Sequence, residues 1–155
     1  MAKKIMIPVV LLLLTVLNRQ TAFSAEKSGV PELRQTFAKY TKAVQERDMT
    51  NLFETVALEG VDFIDTMGKH TQSLEEYRDY HREWFASTTW TIDFKLMKMK
   101  EYGNFGYFLV IYTYKDLLPD QTKHETRGYA TLLFQRQKNG WKLILDVCTP
   151  IRNAG

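Results

Sequence analysis

Four strand-like runs in the C-terminal half of the chain constrain its fold more than any other feature. They span Trp90–Lys100, Phe105–Asp116, Glu125–Gln137 and Trp141–Thr149. Gly103-Asn104 and Asn139-Gly140 supply turn residues between consecutive runs. The pattern predicts a sheet of consecutive antiparallel strands, with the N-terminal half available to cover one of its faces.

The first run changes its apolar phase near its middle. Ile92, Phe94 and Leu96 alternate with polar residues, but Met97 and Met99 continue the alternation one position out of step. A one-residue slip would turn half of the apolar side chains to the wrong face. The flip between Leu96 and Met97 therefore predicts a β-bulge that bends the sheet.

The second run is apolar on both faces over Phe105–Tyr114. Strands with this pattern are usually covered on both sides. Because the predicted helices can cover only one side, we expect the outer face to meet a partner. A homodimer is the simplest form of such an assembly.

The last hairpin carries the strongest turn signal in the chain, Asn139-Gly140. If these two residues form the loop, Lys138 pairs with Trp141 and the register follows. One face of the hairpin would then carry the apolar, pocket-lining side chains Leu132, Phe134, Leu145 and Val147. The other face would be mixed, with Leu133 opposite Asp146, which suits a subunit interface.

The N-terminal half carries helix signals. One apolar stripe at helical spacing is formed by Leu33, Phe37, Tyr40 and Val44. Asp48 is a good N-cap for a short second helix. Val61–Asp65 reads as a short strand before the turn Met67-Gly68. The capping box Ser73-Leu74-Glu75-Glu76 predicts a third helix that runs to about Ala86.

Residues 1–25 have the three parts of a secretory signal: lysines at the start, the apolar run Ile5–Leu17, and small residues at 22–25 for cleavage. An uncleaved N-terminal anchor is the alternative. We expect the rest of the chain, residues 26–155, to form one domain that is exported to the periplasm or secreted.

The charge of the chain depends on this predicted signal. Removing Lys3, Lys4 and Arg19 from the 21 basic residues leaves 18, against 18 acidic residues. The mature chain would then be formally neutral. This balance gives no support to nucleic-acid binding, and no membrane partner is expected for the mature form.

The order of elements resembles the nuclear transport factor 2-like fold, and within it the bacterial SnoaL-like group. The resemblance covers nearly all of Val30–Ile151. Its local signature is Tyr40…Asp48 followed by Leu52-Phe53, then Phe63-Ile64-Asp65-Thr66-Met67-Gly68. It implies an α+β fold, a cystatin-like cone in which a curved antiparallel four- to six-strand sheet wraps on three N-terminal helices.

The ketosteroid isomerases are one branch of this superfamily, and the resemblance implies roles for two residues. Tyr40 matches a tyrosine that donates to the enolate oxygen, and Asp65 matches an aspartate that moves the proton. The third catalytic group of that branch, a protonated aspartate, falls at Leu132, and Tyr129–Phe134 contains no carboxylate. Losing that donor would weaken oxyanion stabilisation and counts against full isomerase activity.

Each candidate residue has a structural alternative. Asp65 can instead cap the turn that follows it, and Tyr40 can be a core aromatic. Trp84 and Trp90 flank the turn into the sheet and could line a pocket mouth or close the core. No His, Cys or carboxylate cluster has metal-ligand spacing, so we expect neither a metal nor a cofactor. Cys148, the only cysteine, is predicted to be a buried thiol.

Three functions remain open at this point. The first is an exported binding module that holds a small apolar or aromatic molecule in the cup of the sheet. The second is a cofactor-independent isomerase or cyclase with Asp65 as base and Tyr40 as electrophile. The third is a non-catalytic dimerisation module.

Overall fold

Three helices and six strands form the described part of the chain, residues 30–151 of the computed structural model. The helices are α1 (Val30–Glu46), α2 (Met49–Glu54) and α3 (Leu74–Ala86). The strands are β1 (Asp62–Ile64), β2 (His70–Thr71), β3 (Thr91–Tyr102), β4 (Phe105–Leu117), β5 (Lys123–Gln137) and β6 (Gly140–Pro150). The predicted signal, residues 1–25, lies outside the described residues.

Helices α2 and α3 begin at the predicted caps. Asp48 Oδ1 accepts the backbone N–H of Asn51 at 2.9 Å, and Ser73 Oγ accepts that of Glu76 at 3.1 Å. These bonds satisfy amides that the first turn of a helix leaves unpaired. Within residues 30–151, no helix combines the length and the apolar character needed to cross a membrane.

One sheet contains all six strands, in the order β2-β1-β6-β5-β4-β3. The long strands pair antiparallel, as predicted, whereas β1 lies parallel to β6 with Phe63 opposite Asp146. The sheet is therefore mixed and open. Helix α1 packs on its inner face, where Phe37 stacks on Phe108 with ring centroids 4.1 Å apart. This arrangement confirms the predicted α+β fold.

Strand β3 contains the predicted bulge. Leu96 and Lys98 pair with consecutive residues of β4, which leaves Met97 between them as the extra residue. Beyond the bulge, Met99 lies opposite the buried Phe108. The slip therefore keeps an apolar side chain, that of Met99, on the inner face beyond the bulge.

The last hairpin differs from the predicted register. Gln137 pairs with Gly140, so the loop is Lys138-Asn139. Gly140 adopts the left-handed conformation with φ of 104°, which glycine tolerates because it has no Cβ. The predicted pairing of Lys138 with Trp141 is therefore wrong.

A second bulge, in β6, follows this loop. Phe134 lies opposite Leu143 and Leu133 lies opposite Leu145, so Ile144 is the extra residue. Strand β5 lies along one side of β6, and the bulge occurs where the neighbour on the other side of β6 changes. Leu143 exchanges backbone hydrogen bonds with the segment after α2, whereas Leu145 lies beside β1.

The β6 bulge corrects the predicted faces of the hairpin. Beyond it, Leu145 and Val147 lie on the outer face and are half-buried, while Asp146 turns inward opposite the buried Leu132. The prediction of an inner position is confirmed for Leu132 and Phe134 and is wrong for Leu145 and Val147. The inner face is more polar than expected, and the outer face is more apolar.

Candidate functional site

The inner face of the sheet and the helices α1 and α3 bound a cavity of about 440 Å³. Its wall is mostly aromatic and aliphatic, and the β1–β2 turn and the start of β5 also contribute to it. A cavity of this size with a few polar groups in its wall is typical of a site for a small organic molecule.

A hydrogen-bonded pair, Tyr40 and Asp146, lies in the cavity wall. Tyr40, on the apolar stripe of α1, donates its hydroxyl proton to Asp146 Oδ2 across 2.8 Å. Both residues are 4% exposed. The pair joins α1 to β6 and exists because the β6 bulge turns Asp146 to the inner face.

The other carboxyl oxygen of Asp146, Oδ1, has only a weak hydrogen-bond donor beside it. Cys148 Sγ lies 3.8 Å from Asp146 Oδ1, and a thiol is a poor hydrogen-bond donor. Oδ1 is therefore the oxygen of the pair that has capacity for a ligand. The thiol itself is protonated at neutral pH, because burial and then the Asp146 charge raise the pKa of Cys148.

The two members of the pair have different protonation behaviour. Burial raises the pKa of Asp146 from 3.8 to about 6, and the hydrogen bonds from Tyr40 and Cys148 oppose the shift. Burial, and then the Asp146 charge, raises the pKa of Tyr40 well above its usual range. Tyr40 therefore remains a donor, whereas Asp146 changes charge close to neutral pH and can take up or release a proton.

Asp65, the carboxylate predicted to move the proton, is half-buried and also lines the cavity. Its Oδ1 accepts the backbone N–H groups of Met67 at 2.8 Å and of Lys69 at 2.9 Å. The turn-capping alternative therefore describes the contacts of Asp65. A proton-transfer role for Asp65 stays a prediction.

The predicted ligand contacts that face inward divide into two layers, since Leu145 and Val147 lie on the outer face. Trp84 and Leu132 line the cavity, whereas Trp90 and Phe134 do not and lie in the core behind it. Trp90 stacks on Trp84 with ring centroids 4.6 Å apart, and its Nε1–H donates to the Trp84 carbonyl at 3.0 Å. The prediction of a pocket position is therefore wrong for Trp90 and Phe134, which instead support the lining residues.

The hairpin face that contains Leu132 was predicted to be apolar, but it carries a carboxylate. Tyr129–Phe134 contains none along the chain, but Asp146 lies directly opposite Leu132 across the sheet. The available signal was the unbroken apolar triplet Leu143-Ile144-Leu145. Like Leu96-Met97, it marks a place where a strand can change phase.

Helix α3 places a further polar side chain at the cavity. His81 is buried and lines the cavity beside Trp84. Among residues 30–151, no three His, Cys, Asp or Glu side chains are grouped so that they could hold a metal ion.

An open six-strand sheet packed against helices, with an aromatic cavity between them and a tyrosine–aspartate pair in its wall, defines the class of the protein as an α+β domain with an internal cavity. The chain belongs to the SnoaL-like domain family, whose model matches residues 33–146. No curated protein matches the chain.

Solved structures share the fold at low sequence identity. A proposed dehydratase of the nuclear transport factor 2-like family from Streptomyces avermitilis is 15% identical with a TM-score of 0.70, over 80% of this chain and 97% of that one. A ketosteroid isomerase-like protein from Erwinia carotovora atroseptica is 10% identical with a TM-score of 0.69, over 82% and 99%. A protein with a cystatin-like fold from Caulobacter vibrioides is 14% identical with a TM-score of 0.68, over 80% and 90%.

Proposed function

We propose that this SnoaL-like domain binds a small, mainly aromatic or apolar molecule and places an oxygen atom of that molecule against Asp146. The observation that carries the proposal is the Tyr40–Asp146 pair in the wall of the aromatic cavity. A buried carboxyl group is costly unless its oxygens are paired, and the described residues satisfy only Oδ2 well. A ligand oxygen at Oδ1 would complete the pairing.

The charge of Asp146 decides which ligand oxygen fits. The ionised carboxylate accepts a hydrogen bond from a hydroxyl group, whereas the protonated form donates one to a carbonyl oxygen. Because the pKa of Asp146 is about 6, both forms are accessible near neutral pH. The aromatic rings of Trp84 and Tyr114 in the wall supply flat apolar surface for the rest of the molecule.

Thermal denaturation with a matched pair of probes tests this proposal. We expect 1-tetralone, a bicyclic ketone, to raise the melting temperature by about 5 °C at a concentration tenfold above its Kd. Tetralin, which lacks the oxygen, should stabilise less at equal concentration. Leu132→Trp, which fills the cavity, should abolish both effects, whereas Asp79→Asn on the exposed face of α3 should change neither. Failure of every aromatic probe to stabilise the protein would contradict binding in this cavity.

A second candidate function, a cofactor-independent isomerase or cyclase, is favoured by the raised pKa of Asp146 beside Tyr40. Asp146 Oδ1 would accept a proton from the carbon next to a carbonyl group, and the C–H electrons would pass to the carbonyl oxygen. Protonation of Asp146 weakens the pull on the Tyr40 hydroxyl, which can then donate to the enolate oxygen. The proton returns to a different carbon of the same molecule.

Deuterium exchange separates this candidate from simple binding. We expect the chain to accelerate incorporation of deuterium next to the carbonyl group of 1-tetralone, and Asp146→Asn to reduce this rate by about a hundredfold or more. Asp79→Asn serves as the matched control. A selective loss in Asp65→Asn would assign the base to Asp65, and no acceleration by the wild-type chain would leave binding alone.

We also propose that the chain is exported and forms a homodimer through the outer sheet face. The composition of residues 1–25 supports export. The half-buried side chains of Leu109, Leu133, Leu145 and Val147 on the outer face support pairing with a second copy.

A further inference from the structure

His81 is a buried polar group of the cavity wall that the proposed binding mode does not use. It is 2% exposed and lies one turn after Tyr77 on α3. Its Nδ1 lies 2.8 Å from the backbone oxygen of Tyr77. Because a carbonyl oxygen can only accept, Nδ1 must carry the hydrogen and donate it.

The other ring nitrogen, Nε2, is then a hydrogen-bond acceptor. Burial keeps the ring neutral, since it lowers the pKa of His81 to about 4 and the bond to Tyr77 offsets only part of that shift. A neutral imidazole with a hydrogen on Nδ1 has a lone pair on Nε2. No residue within 30–151 makes a hydrogen bond to this nitrogen, and the ring lines the cavity.

Within residues 30–151 no neighbouring side chain donates to Nε2, including Tyr77, whose ring centroid lies 4.1 Å from that of His81 and whose hydroxyl has no hydrogen-bond partner. The ring centroids of Phe63, Tyr80 and Phe85 lie 5.9, 5.3 and 5.5 Å from that of His81. The Tyr80 hydroxyl makes no hydrogen bond to His81, and the phenylalanines have no donor. A phenylalanine at this position would fill the same space with no polar atom to satisfy. An acceptor nitrogen that lies in the cavity wall, and to which no residue within 30–151 donates, is therefore explained by a donor inside the cavity.

We propose that His81 Nε2 accepts a hydrogen bond from a hydroxyl group of the ligand, which makes the ligand a hydroxylated aromatic molecule. The inference rests on the proposed binding function and narrows its ligand class. A fixed, neutral acceptor selects a neutral O–H donor over an ether or a hydrocarbon of the same shape. His81 thus acts as a specificity-determining residue on α3, whereas the Tyr40–Asp146 pair joins α1 to β6.

Equilibrium dialysis with naphthalene, 2-naphthol and 2-methoxynaphthalene tests this proposal on the purified chain. We expect the wild-type chain to bind 2-naphthol about tenfold more tightly than 2-methoxynaphthalene, the increment of one added hydrogen bond. In His81→Phe the two affinities should become equal while naphthalene binding is kept. Equal affinities in the wild-type chain, or a preference that survives in His81→Phe, would overturn the inference and leave the proposed function intact. Binding of none of the three probes would overturn the proposed function.

Nuclear magnetic resonance on the wild-type chain gives a second test that needs no variant. With nitrogen-labelled histidine, bound 2-naphthol should shift the Nε2 resonance of the buried ring, and bound 2-methoxynaphthalene should leave it near its free position. His70, which is exposed at the sheet edge, provides the internal reference. An Nε2 resonance that does not respond to bound 2-naphthol would also overturn the inference.

Discussion

The bulges in β3 and β6 have opposite effects on the side chains that face the helices. In β3 the extra residue, Met97, keeps apolar side chains on the inner face on both sides of the slip. In β6 the extra residue, Ile144, ends the inward alternation of apolar side chains and brings Asp146 to the inner face. One bulge follows the hydrophobic pattern of its strand, and the other reverses it.

The reversal in β6 shows that tertiary contacts can outweigh a strand's own pattern. Turning Leu145 and Val147 outward gives up apolar burial worth roughly 1.5–3 kcal/mol for each fully buried side chain. The backbone bonds of Leu143 to the segment after α2, and the pairing of the next residues with β1, hold β6 in this register. Departures from local rules tend to occur at functional sites, and this departure places the carboxyl group in the cavity.

The largest expected effect tests the facing of β6 with two identical substitutions. Leu143→Ala removes a fully buried side chain, with 0% exposure, and should lower the free energy of unfolding by about 3 kcal/mol. Leu145→Ala, two residues further on the half-buried outer face, should cost about 1 kcal/mol. Urea denaturation of the two variants and the wild-type chain gives both values.

If Leu145→Ala lowers the free energy of unfolding as much as Leu143→Ala does, Leu145 cannot lie on the outer face of an isolated monomer. If the loss in Leu145→Ala grows with protein concentration, the outer face is covered by a second copy, because dimer stability depends on protomer concentration. The same pair of variants therefore tests both the β6 bulge and the proposed homodimer.

A smaller effect is expected from removing the charge that the β6 bulge brings inward. The asparagine of Asp146→Asn keeps an oxygen that can accept the Tyr40 hydrogen bond, but its side chain cannot ionise. We expect the variant to be about 2 kcal/mol more stable than the wild-type chain at pH 7.5. Urea denaturation at pH 7.5 and pH 4.5 measures the difference.

The pH dependence follows from the direction of the shift. The folded chain holds the Asp146 proton more tightly than the unfolded chain, because burial raises the pKa of Asp146 to about 6. Protonated Asp146 therefore stabilises the folded chain. This stabilisation is fully present below the pKa of Asp146 in the unfolded chain, and it is lost as the pH rises through about 6. The advantage of Asp146→Asn should therefore shrink by more than half at pH 4.5. An advantage that is constant with pH would show that Asp146 does not titrate in this range.

The sequence allowed most of the architecture to be predicted, because the three helices and the four long strands carry their own local signals. Capping residues marked α2 and α3, and the flip at Leu96-Met97 marked the β3 bulge. That flip is visible because lysines alternate with the methionines and so identify the polar positions of the strand. In Leu143-Ile144-Leu145 all three residues are apolar, so either phase satisfies the pattern.

The site was harder to predict than the fold, because the local sequence pattern does not determine the register that places Asp146. Tyr40 and Asp65 were found from their place in the order of elements, and both line the cavity. Asp146 depends on the register of β6, which contacts with β1 and the segment after α2 decide. His81 lies on the predicted third helix, but its unpaired Nε2 becomes apparent only once the surrounding rings are placed.

The smallest expected effect concerns the extra residue of the β3 bulge. Met97 is 50% exposed on a strand at the sheet edge, so Met97→Ala should change the free energy of unfolding by less than about 0.5 kcal/mol. Ile144→Ala should cost more, because Ile144 is half-buried on a strand with neighbours on both sides. Urea denaturation measures both changes. If the two substitutions lower the free energy of unfolding equally, the bulge in the edge strand β3 and the bulge in the interior strand β6 do not differ in packing. A larger cost at Met97, rising with protein concentration, would instead show that the β3 edge is covered in a dimer.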